Sequence, residues 1–587
     1  MSDSSDIRAG YGPTKHETDV EHGSLTKATG YENVEIRGIE TSAETSLHRG
    51  LKARHISMLA LGGSLGTGLL ISSGKALAQG GPGSLVISYV AVGLVVFCVL
   101  AALGEMTAYL PLHSGFAGYA SRYCHPSLGF ALGWTYLLKY IIVTPNQLTA
   151  ASLVIGFWVP RERVNPGVFV AVFLVAIVCI NFAPVRWYGE FEFWLSSFKV
   201  LVVIGLILFS LVIASGGGPG ATGAPGFRYW RDPGAFAELY AGGALGRFIG
   251  FWSVLSTATF AYLGVELCAL TAGEAQNPRK SIPKAIRLTF WRILIFYCLS
   301  IFLVSLCVPY NSKELAFANK SGSSTASGSP FVVAAKLAGV NTLSHILNAC
   351  MAKLMNNNNN NNNNSLVFVF SASVSDLYVG ARTLYGLSSD RAAPAIFRRV
   401  NSWGIPYVAL GTCAAFCLLA FMVVGDDARR VFVYFVNLTT IFGLCSWISI
   451  LVTYLFFLRA RRAQAIPDGA MPYRAPQGLA GTAVALAFCV LIALTKSFTV
   501  FIAHDGSRFD AREFVTAYLG IPIYLGLIFG HMWWTGSRRV RAADADFFTG
   551  KDIIDNEEAA FVERQEERRA AYTGWNKFYD RYISWLF

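Results

Sequence analysis

Charged residues are scarce in this chain. Asp, Glu, Lys and Arg together make up 14% of its 587 residues, whereas 53% are hydrophobic, and the mean hydropathy is +0.45. Soluble domains average about 25% charged residues, so this balance excludes a soluble protein of this size. About twelve apolar stretches approach the roughly 20 residues that a helix needs to cross a bilayer. The sequence therefore predicts an all-α polytopic membrane protein with about twelve transmembrane helices.

Sequence motifs for enzyme chemistry are missing as well. The chain has no phosphate-binding loop, no nucleophile motif, and no Cys or His cluster with the spacing of metal ligands. Its 11 cysteines are mostly scattered through apolar stretches, where free cysteine behaves as a small hydrophobic residue. We therefore expect no enzymatic activity, no cofactor and no metal site. A cleavable signal peptide is not expected either, because residues 1–50 are polar and mixed in charge.

Positive charges outnumber negative ones, and the formal net charge is +12. Binding to nucleic acid is one possible explanation of this net charge. The Lys and Arg residues, however, gather in short loops between apolar stretches, above all at residues 277–284. This distribution follows the positive-inside rule, so we expect a surrounding lipid bilayer and no nucleic-acid partner. It predicts a cytoplasmic N-terminal tail (residues 1–50), a transmembrane domain (51–537) and a cytoplasmic C-terminal tail (538–587).

The two tails differ in composition. Residues 1–50 are rich in Ser, Thr, Glu and Gly, as disordered segments often are. Lys15 and Lys27 are candidate sites there for ubiquitin ligases and trafficking machinery, with ordinary solvated lysines as the alternative. Residues 575–587 are aromatic and amphipathic, so they either lie on the membrane surface or dock onto the inner loops. A signal for export or folding is the alternative for this segment.

Glycine is concentrated in the first apolar stretch. Residues 62–68 (GGSLGTG) lie in the middle of the stretch 56–77, and each glycine costs a helix about 1 kcal/mol relative to alanine. We predict a break there, which a membrane tolerates only where the backbone lines a cavity or is buried in protein. The half-helix after the break offers unpaired N–H groups and a positive dipole end to a carboxylate. The predicted ligands are Ser64, Gly66, Thr67 and Gly68.

The sixth apolar stretch repeats this pattern. Its residues 260–267 (FAYLGVEL) place a glycine beside a glutamate in the middle of the span. Carbonyl groups freed around Phe260, Tyr262 and Gly264 would accept an ammonium group. Two glycine-interrupted helices indicate an inverted repeat, spans 1–5 against spans 6–10, with the substrate between them. A site for one carboxylate and one ammonium describes an α-amino acid; close helix packing through small residues is the alternative.

Ionisable residues inside spans are costly and are functional candidates by default. Lys139 and Gln147 are eight residues apart on the third span, which is about two turns and places them roughly on one face. A lysine in a low-dielectric cavity attracts an acidic substrate strongly, although Lys139 could instead pair with a helix carbonyl or a Glu. Glu266 is a candidate proton acceptor, because burial favours the protonated carboxyl; a structural hydrogen-bond acceptor is the alternative.

One segment conflicts with a spanning helix. Nine consecutive asparagines, residues 356–364, interrupt the eighth apolar stretch, and a bilayer cannot host them because every side-chain amide would need a partner. Removing residues 352–365 would restore one continuous helix. This favours an unspliced or artefactual insert, and a bulge that distorts the span is the alternative.

Several motifs together resemble the fungal amino-acid permeases of the amino acid–polyamine–organocation superfamily. They are GGSLGTG (62–68), ALGEM (102–106), GVEL (264–267), TAGEAQNPRKSIPKAI (271–286) and ARTLYGL (381–387). Three further stretches resemble family members that carry dicarboxylic amino acids, namely TPNQLTAA (144–151), GEFEFWLSSFKV (189–200) and GFRYWRDPGAF (226–236). The resemblance covers about residues 50 to 540 and implies twelve spans, two inverted five-helix repeats followed by two further helices.

The resemblance also implies proton-coupled uptake of amino acids at the plasma membrane. Lys199 on the fifth span is then a candidate proton carrier or fixed internal cation, and a lysine that snorkels to the interface is the alternative. Relatives for neutral and cationic substrates often have Glu in place of Gln147, so this chain favours glutamate and aspartate. A broad-range or neutral permease and an amino-acid sensor of the same fold remain alternative functions.

Overall fold

The computed structural model describes residues 58, 66, 68–112, 114–155, 159, 161–217, 223–267, 278–313, 315, 329–339, 367–425, 428–502 and 509–570. Within these ranges the regular elements are helices, and no β-strand is present. Five sequence predictions lie wholly or mostly outside the described residues: the break in span 1, the ligands Ser64 and Thr67, the asparagine tract, the N-terminal tail and the aromatic segment 575–587.

Five helices contain the first five spans and the short connection between spans 2 and 3. They are α1 (Gly68–Tyr109), α2 (Gly115–Tyr123), α3 (Pro126–Ile155), α4 (Pro166–Asn181) and α5 (Val185–Ala214). Helix α1 contains the second half of span 1 and all of span 2, which a kink at Gly81 separates. The backbone at this kink bonds the segment before α6: Gly83 donates to the Ala235 carbonyl at 2.7 Å.

The remaining spans follow in the order that the sequence predicts. They comprise α6 (Gly243–Tyr262), α7 (Pro278–Arg292, continued by Ile293–Leu299 and Ser300–Cys307), α9 (Val367–Ser389), α10 (Tyr407–Phe416, continued by Cys417–Val424), α11 (Ala428–Ala463), α12 (Gly478–Thr495), α13 (Ala511–Tyr518) and α14 (Gly520–Thr535). A short helix, α8 (Pro330–Leu337), precedes α9, and α15 (Lys551–Ala570) follows α14.

Twelve spans can be assigned to these helices. Within the described ranges seven helical stretches are long and apolar enough to cross a membrane, or eight if α13 and α14, bent by 41°, form one span. The first of the seven holds spans 1 and 2, and α4, α6 and α9 supply spans 4, 6 and 8. The all-α polytopic prediction is confirmed.

Helices differ in which faces they bury. Helix α1 packs along α6, and α3 packs along both α9 and α11, so these five helices form the interior. Helix α5 instead exposes Trp194, Leu201 and Leu208, which are seven residues apart and therefore share one face of the helix. An exposed apolar stripe of this kind is expected of a helix at the lipid boundary.

The chain after α14 returns to pack against other helices. Phe547 is fully buried among the rings of Tyr109, Tyr123 and Phe457. Arg122 of α2 donates to the Asp546 carboxylate at 2.7 Å and to the Thr549 carbonyl at 2.7 Å. Further contacts come from Arg279 of α7, which forms ion pairs with Asp555 and Glu558 of α15. Residues 538–570 thus hold the ends of α1, α2, α7 and α11 together.

Candidate substrate site

Helix α6 stops abruptly at Tyr262. The next residue, Leu263, is extended, and Gly264 has φ +105°, a left-handed conformation that glycine adopts without the steric cost of a Cβ atom. The backbone N–H of Gly264 donates to the Glu266 carboxylate at 3.1 Å. The break that the sequence predicts in span 6 is therefore confirmed. The Glu266 side chain stabilises it by accepting the hydrogen bond from Gly264.

Two carbonyl groups at the end of α6 already accept hydrogen bonds within the turn that follows the helix. The Phe260 carbonyl accepts from Leu263 at 3.2 Å, and the Tyr262 carbonyl accepts from Val265 at 3.4 Å. Since a carbonyl oxygen has two lone pairs, each can accept one further donor such as an ammonium group. The Tyr262 side chain points elsewhere, because its hydroxyl donates to the Tyr89 carbonyl at 2.9 Å.

The described part of span 1 begins directly beside this break. In the described part of the chain, helix α1 opens with a π-helical turn over Gly68–Ser72. The first N–H groups of a helix have no partner within that helix. Gly68 lies so close to α6 that a Cβ atom there would be 2.5 Å from the Cα atom of Ala261. Because glycine has no Cβ atom, the start of α1 can pack directly against α6 at this position.

A cavity lies between the break in span 6 and the start of α1. Its wall is formed by Gly66, Gly68, Lys139, Tyr140, Val143, Gln147, Phe260, Ala261, Leu263, Gly264 and Asp376. Six of the predicted substrate ligands are in this wall: Gly66, Gly68, Lys139, Gln147, Phe260 and Gly264. The structure thus brings residues from spans 1, 3 and 6 to one place, and α9 adds Asp376.

Lys139 is buried in the cavity wall and forms an ion pair with Glu266. Its ammonium group also lies 5.0 Å from the ring centroid of Tyr136 and 4.7 Å from that of Tyr140, distances at which a cation interacts with an aromatic face. The pairing with a Glu that the sequence left open for Lys139 is therefore present. An acidic substrate would have to share this ammonium group with Glu266.

Asp376 is the cavity residue that the sequence reasoning missed. It is 4% exposed, and its carboxylate accepts from the Gln147 amide at 3.5 Å. The signal was present in the sequence, because an aspartate in the apolar run 366–379 is an intramembrane ionisable residue. Gln147 consequently lies next to a carboxyl group, so an amide at position 147 does not by itself keep the site free of acidic side chains.

Lys199 is on α5, outside the cavity wall, and is completely buried, so it does not snorkel to an interface. Its charge interacts with those of Glu192 and Asp376. Glu192 is 1% exposed, accepts hydrogen bonds from Ser196 at 3.1 Å and Ser371 at 2.8 Å, and was also missed. A chain of buried ionisable groups therefore extends from the cavity to α5.

Glu105 near the end of α1 belongs to a separate network. Its carboxylate accepts from the Tyr454 hydroxyl at 2.6 Å and pairs with Arg461 of α11 at 2.8 Å. The backbone N–H of Ala475 donates to it at 2.8 Å. These contacts tie α1 to α11 and to the following loop, and they do not reach the cavity.

A membrane bundle with a helix broken beside a central cavity has the architecture of a secondary transporter. The chain belongs to the amino acid permease family, whose sequence profile matches residues 55–543. It is 48% identical over 549 residues to the dicarboxylic amino acid permease of Saccharomyces cerevisiae, covering 92% of this chain and 87% of that one. It is also 35% identical to the proline-specific permease of that yeast, covering 91% and 83% of the two chains. With its general amino-acid permease GAP1 it shares 36% identity, covering 88% and 82%.

Solved structures support the fold alone. A crystal structure of the Eremococcus coleocola manganese transporter superimposes with a TM-score of 0.52 at 13% sequence identity, covering 82% of this chain and 93% of that one. The described residues of the present chain contain no group of three or more His, Cys, Asp or Glu side chains that could hold a metal ion.

Proposed function

We propose that the protein imports amino acids across the plasma membrane by proton symport and prefers glutamate and aspartate. The observation that carries the proposal is the cavity between the start of α1 and the break in span 6, with a lysine in its wall. The 48% identity to a dicarboxylic amino acid permease supports the preference for acidic substrates.

Each group of the substrate has a proposed partner. The α-carboxylate binds the N–H groups at the start of α1, around Gly66 and Gly68 and the predicted neighbours Ser64 and Thr67, where the helix dipole favours negative charge. The α-ammonium binds carbonyl groups near Phe260, Tyr262 and Gly264. The side-chain carboxylate approaches Lys139, whose ammonium group has three donors and so can serve Glu266 and substrate together.

Proton coupling is proposed to use the buried ionisable groups. Lys199 and Glu266 are the candidates that the sequence offered, and both are buried in the protein interior. Uptake driven by the proton gradient requires that one such group change its protonation state in step with substrate binding.

A broad-range permease is the second candidate function. It is favoured by the ion pair between Lys139 and Glu266, because a neutralised lysine attracts an acidic side chain less strongly. General and proline-specific permeases among the relatives also agree with it.

Uptake of labelled glutamate distinguishes these functions. The chain is expressed in yeast cells without an acidic amino-acid permease, with and without residues 352–365, and uptake is measured at pH 5 and pH 7 with and without a protonophore. We expect uptake that aspartate competes and the protonophore abolishes. Entry of proline or leucine in preference to glutamate would favour the broad-range permease. Absence of all uptake in cells with the protein at their surface would contradict transport and favour a sensor.

A further inference from the structure

We propose that Asp376 carries the coupled proton, entering the transport cycle as a carboxylic acid when substrate binds and releasing the proton after the substrate leaves. The inference rests on the proposed function, because it names the residue through which the proton gradient drives that transport. It stands on the number, burial and partners of the ionisable groups around the cavity.

The buried charges around the cavity do not balance. Among the described residues, five Lys, Asp and Glu side chains around the cavity are at most 4% exposed: Lys139 on α3, Glu192 and Lys199 on α5, Glu266 in the break after α6, and Asp376 on α9. With every group ionised, two lysines face three carboxylates, which leaves one uncompensated negative charge. Such a charge is costly in a low-dielectric interior unless it is paired or neutralised, so one of these carboxyl groups is poised to take up a proton.

Two of the three carboxyl groups have partners that favour the ionised form. Glu266 binds the Lys139 ammonium group and the Gly264 N–H. Glu192 accepts from two serine hydroxyls and interacts with Lys199. Donors and cations of this kind stabilise a carboxylate.

Asp376 is the least well satisfied of the three. Its hydrogen bond from the Gln147 amide is 3.5 Å long, which is at the limit for such a bond, and no ion pair within the described residues includes it. The titratable groups whose charges reach it are Lys139, Tyr136 and Tyr140 on α3, Glu192 and Lys199 on α5, and Cys417 on α10. Both lysines in this set also interact with another carboxylate.

The position of Asp376 in the cavity wall couples the proton to the substrate. An acidic amino acid brings a net charge of −1, so binding beside an ionised Asp376 would place two unbalanced negative charges in one cavity. A proton taken from the external water onto an Asp376 carboxylate oxygen removes one of them, and the O–H group so formed can donate to the Gln147 side-chain oxygen or to the substrate. When the substrate leaves, the O–H bond breaks and the proton passes to water on the opposite side.

The test separates coupling from binding in proteoliposomes that contain the full-length protein. Two quantities are measured: glutamate accumulation driven by a pH gradient, and exchange of labelled for unlabelled glutamate without a gradient. For Asp376→Asn we expect the ratio of accumulation to exchange to fall at least tenfold and exchange to become independent of pH between 5 and 7. Glu105→Gln also removes a buried carboxylate, but from the network of Tyr454 and Arg461, which does not reach the cavity. It is the matched control and is expected to keep the wild-type ratio of accumulation to exchange.

Asp376→Glu keeps an ionisable carboxyl group and is expected to retain gradient-driven accumulation even if Asp376→Asn fails to fold. Accumulation by Asp376→Asn at the wild-type ratio would overturn the inference. Loss of coupling in both Glu105→Gln and Asp376→Glu would also overturn it, because the loss would then not depend on a carboxyl group at position 376. If wild-type protein neither accumulates nor exchanges amino acids, the proposed function itself fails.

Discussion

At the scale of single residues, the Lys139–Glu266 ion pair joins two predicted functional groups into one unit. Both side chains are buried, and removing one partner of such a pair leaves a charge without compensation. We expect Lys139→Met or Glu266→Gln alone to lower the free energy of unfolding by about 3–5 kcal/mol. The double variant should regain most of this loss. Thermal unfolding of the purified proteins in detergent checks the prediction, which fails if the double variant is no more stable than the weaker single one.

The same double variant tests what Lys139 does for the substrate. A hydrogen bond to a charged group contributes about 1.5–3 kcal/mol, which corresponds to roughly a 10- to 100-fold change in binding. If Lys139 binds the side-chain carboxylate, KM for glutamate should rise by about that factor, while KM for proline changes little. Equal changes for the two substrates would show that Lys139 only positions the helices.

At the scale of elements, the break after α6 depends on glycine. Gly264→Ala would force an alanine to φ +105°, and left-handed conformations cost non-glycine residues about 1–2 kcal/mol. We therefore expect reduced glutamate uptake per molecule at the cell surface. Gly205 on α5 is the matched control, because a Cβ atom there would meet no other atom within 4 Å. Since alanine is the better helix former, Gly205→Ala should leave uptake unchanged or raise expression.

The elements also show what the sequence could and could not predict. Glycine content located the break in span 6, because a helix responds locally to a missing Cβ atom. The pairing of Lys139 with Glu266 joins residues 127 positions apart, and periodicity defines helix faces without saying which faces meet. Asp376 was missed although its residue type and apolar surroundings are visible in the sequence. Its position opposite Gln147 depends on how α9 packs against α3, which only the fold defines.

At the scale of the whole molecule, the segment after α14 joins helices from both halves of the bundle. Phe547 is 0% exposed, whereas its neighbour Phe548 is 63% exposed. Replacing a buried phenylalanine by alanine typically costs about 3–5 kcal/mol, so Phe547→Ala should release this segment and Phe548→Ala should not. Limited proteolysis of membranes checks this: cleavage between residues 536 and 570 should accelerate for Phe547→Ala only. Equal protection of both variants would contradict the packing.

The docked segment should also respond to pH through Asp546. Burial raises the pKa of this carboxyl group, but hydrogen bonds from Thr549 and Phe548 and the charge of Arg122 outweigh that effect and hold the pKa below its ordinary value. Because the pKa is lower in the docked than in the free state, docking is favoured at every pH above the free value of about 3.9 and is weakened as pH falls through the lower, docked value.

Docking of the segment should depend on pH only in acid. Between pH 5 and pH 8 docking should be constant, and below about pH 4 the Arg122–Asp546 contact should weaken as Asp546 is protonated. Asp546→Asn should weaken docking at neutral pH and reduce its dependence on acid, whereas Asp544→Asn, at an exposed position of the same segment, should behave as wild type. An environment-sensitive fluorophore placed on the segment would report release. Release of wild type and Asp546→Asn at the same pH with the same amplitude would show that other groups control the docking.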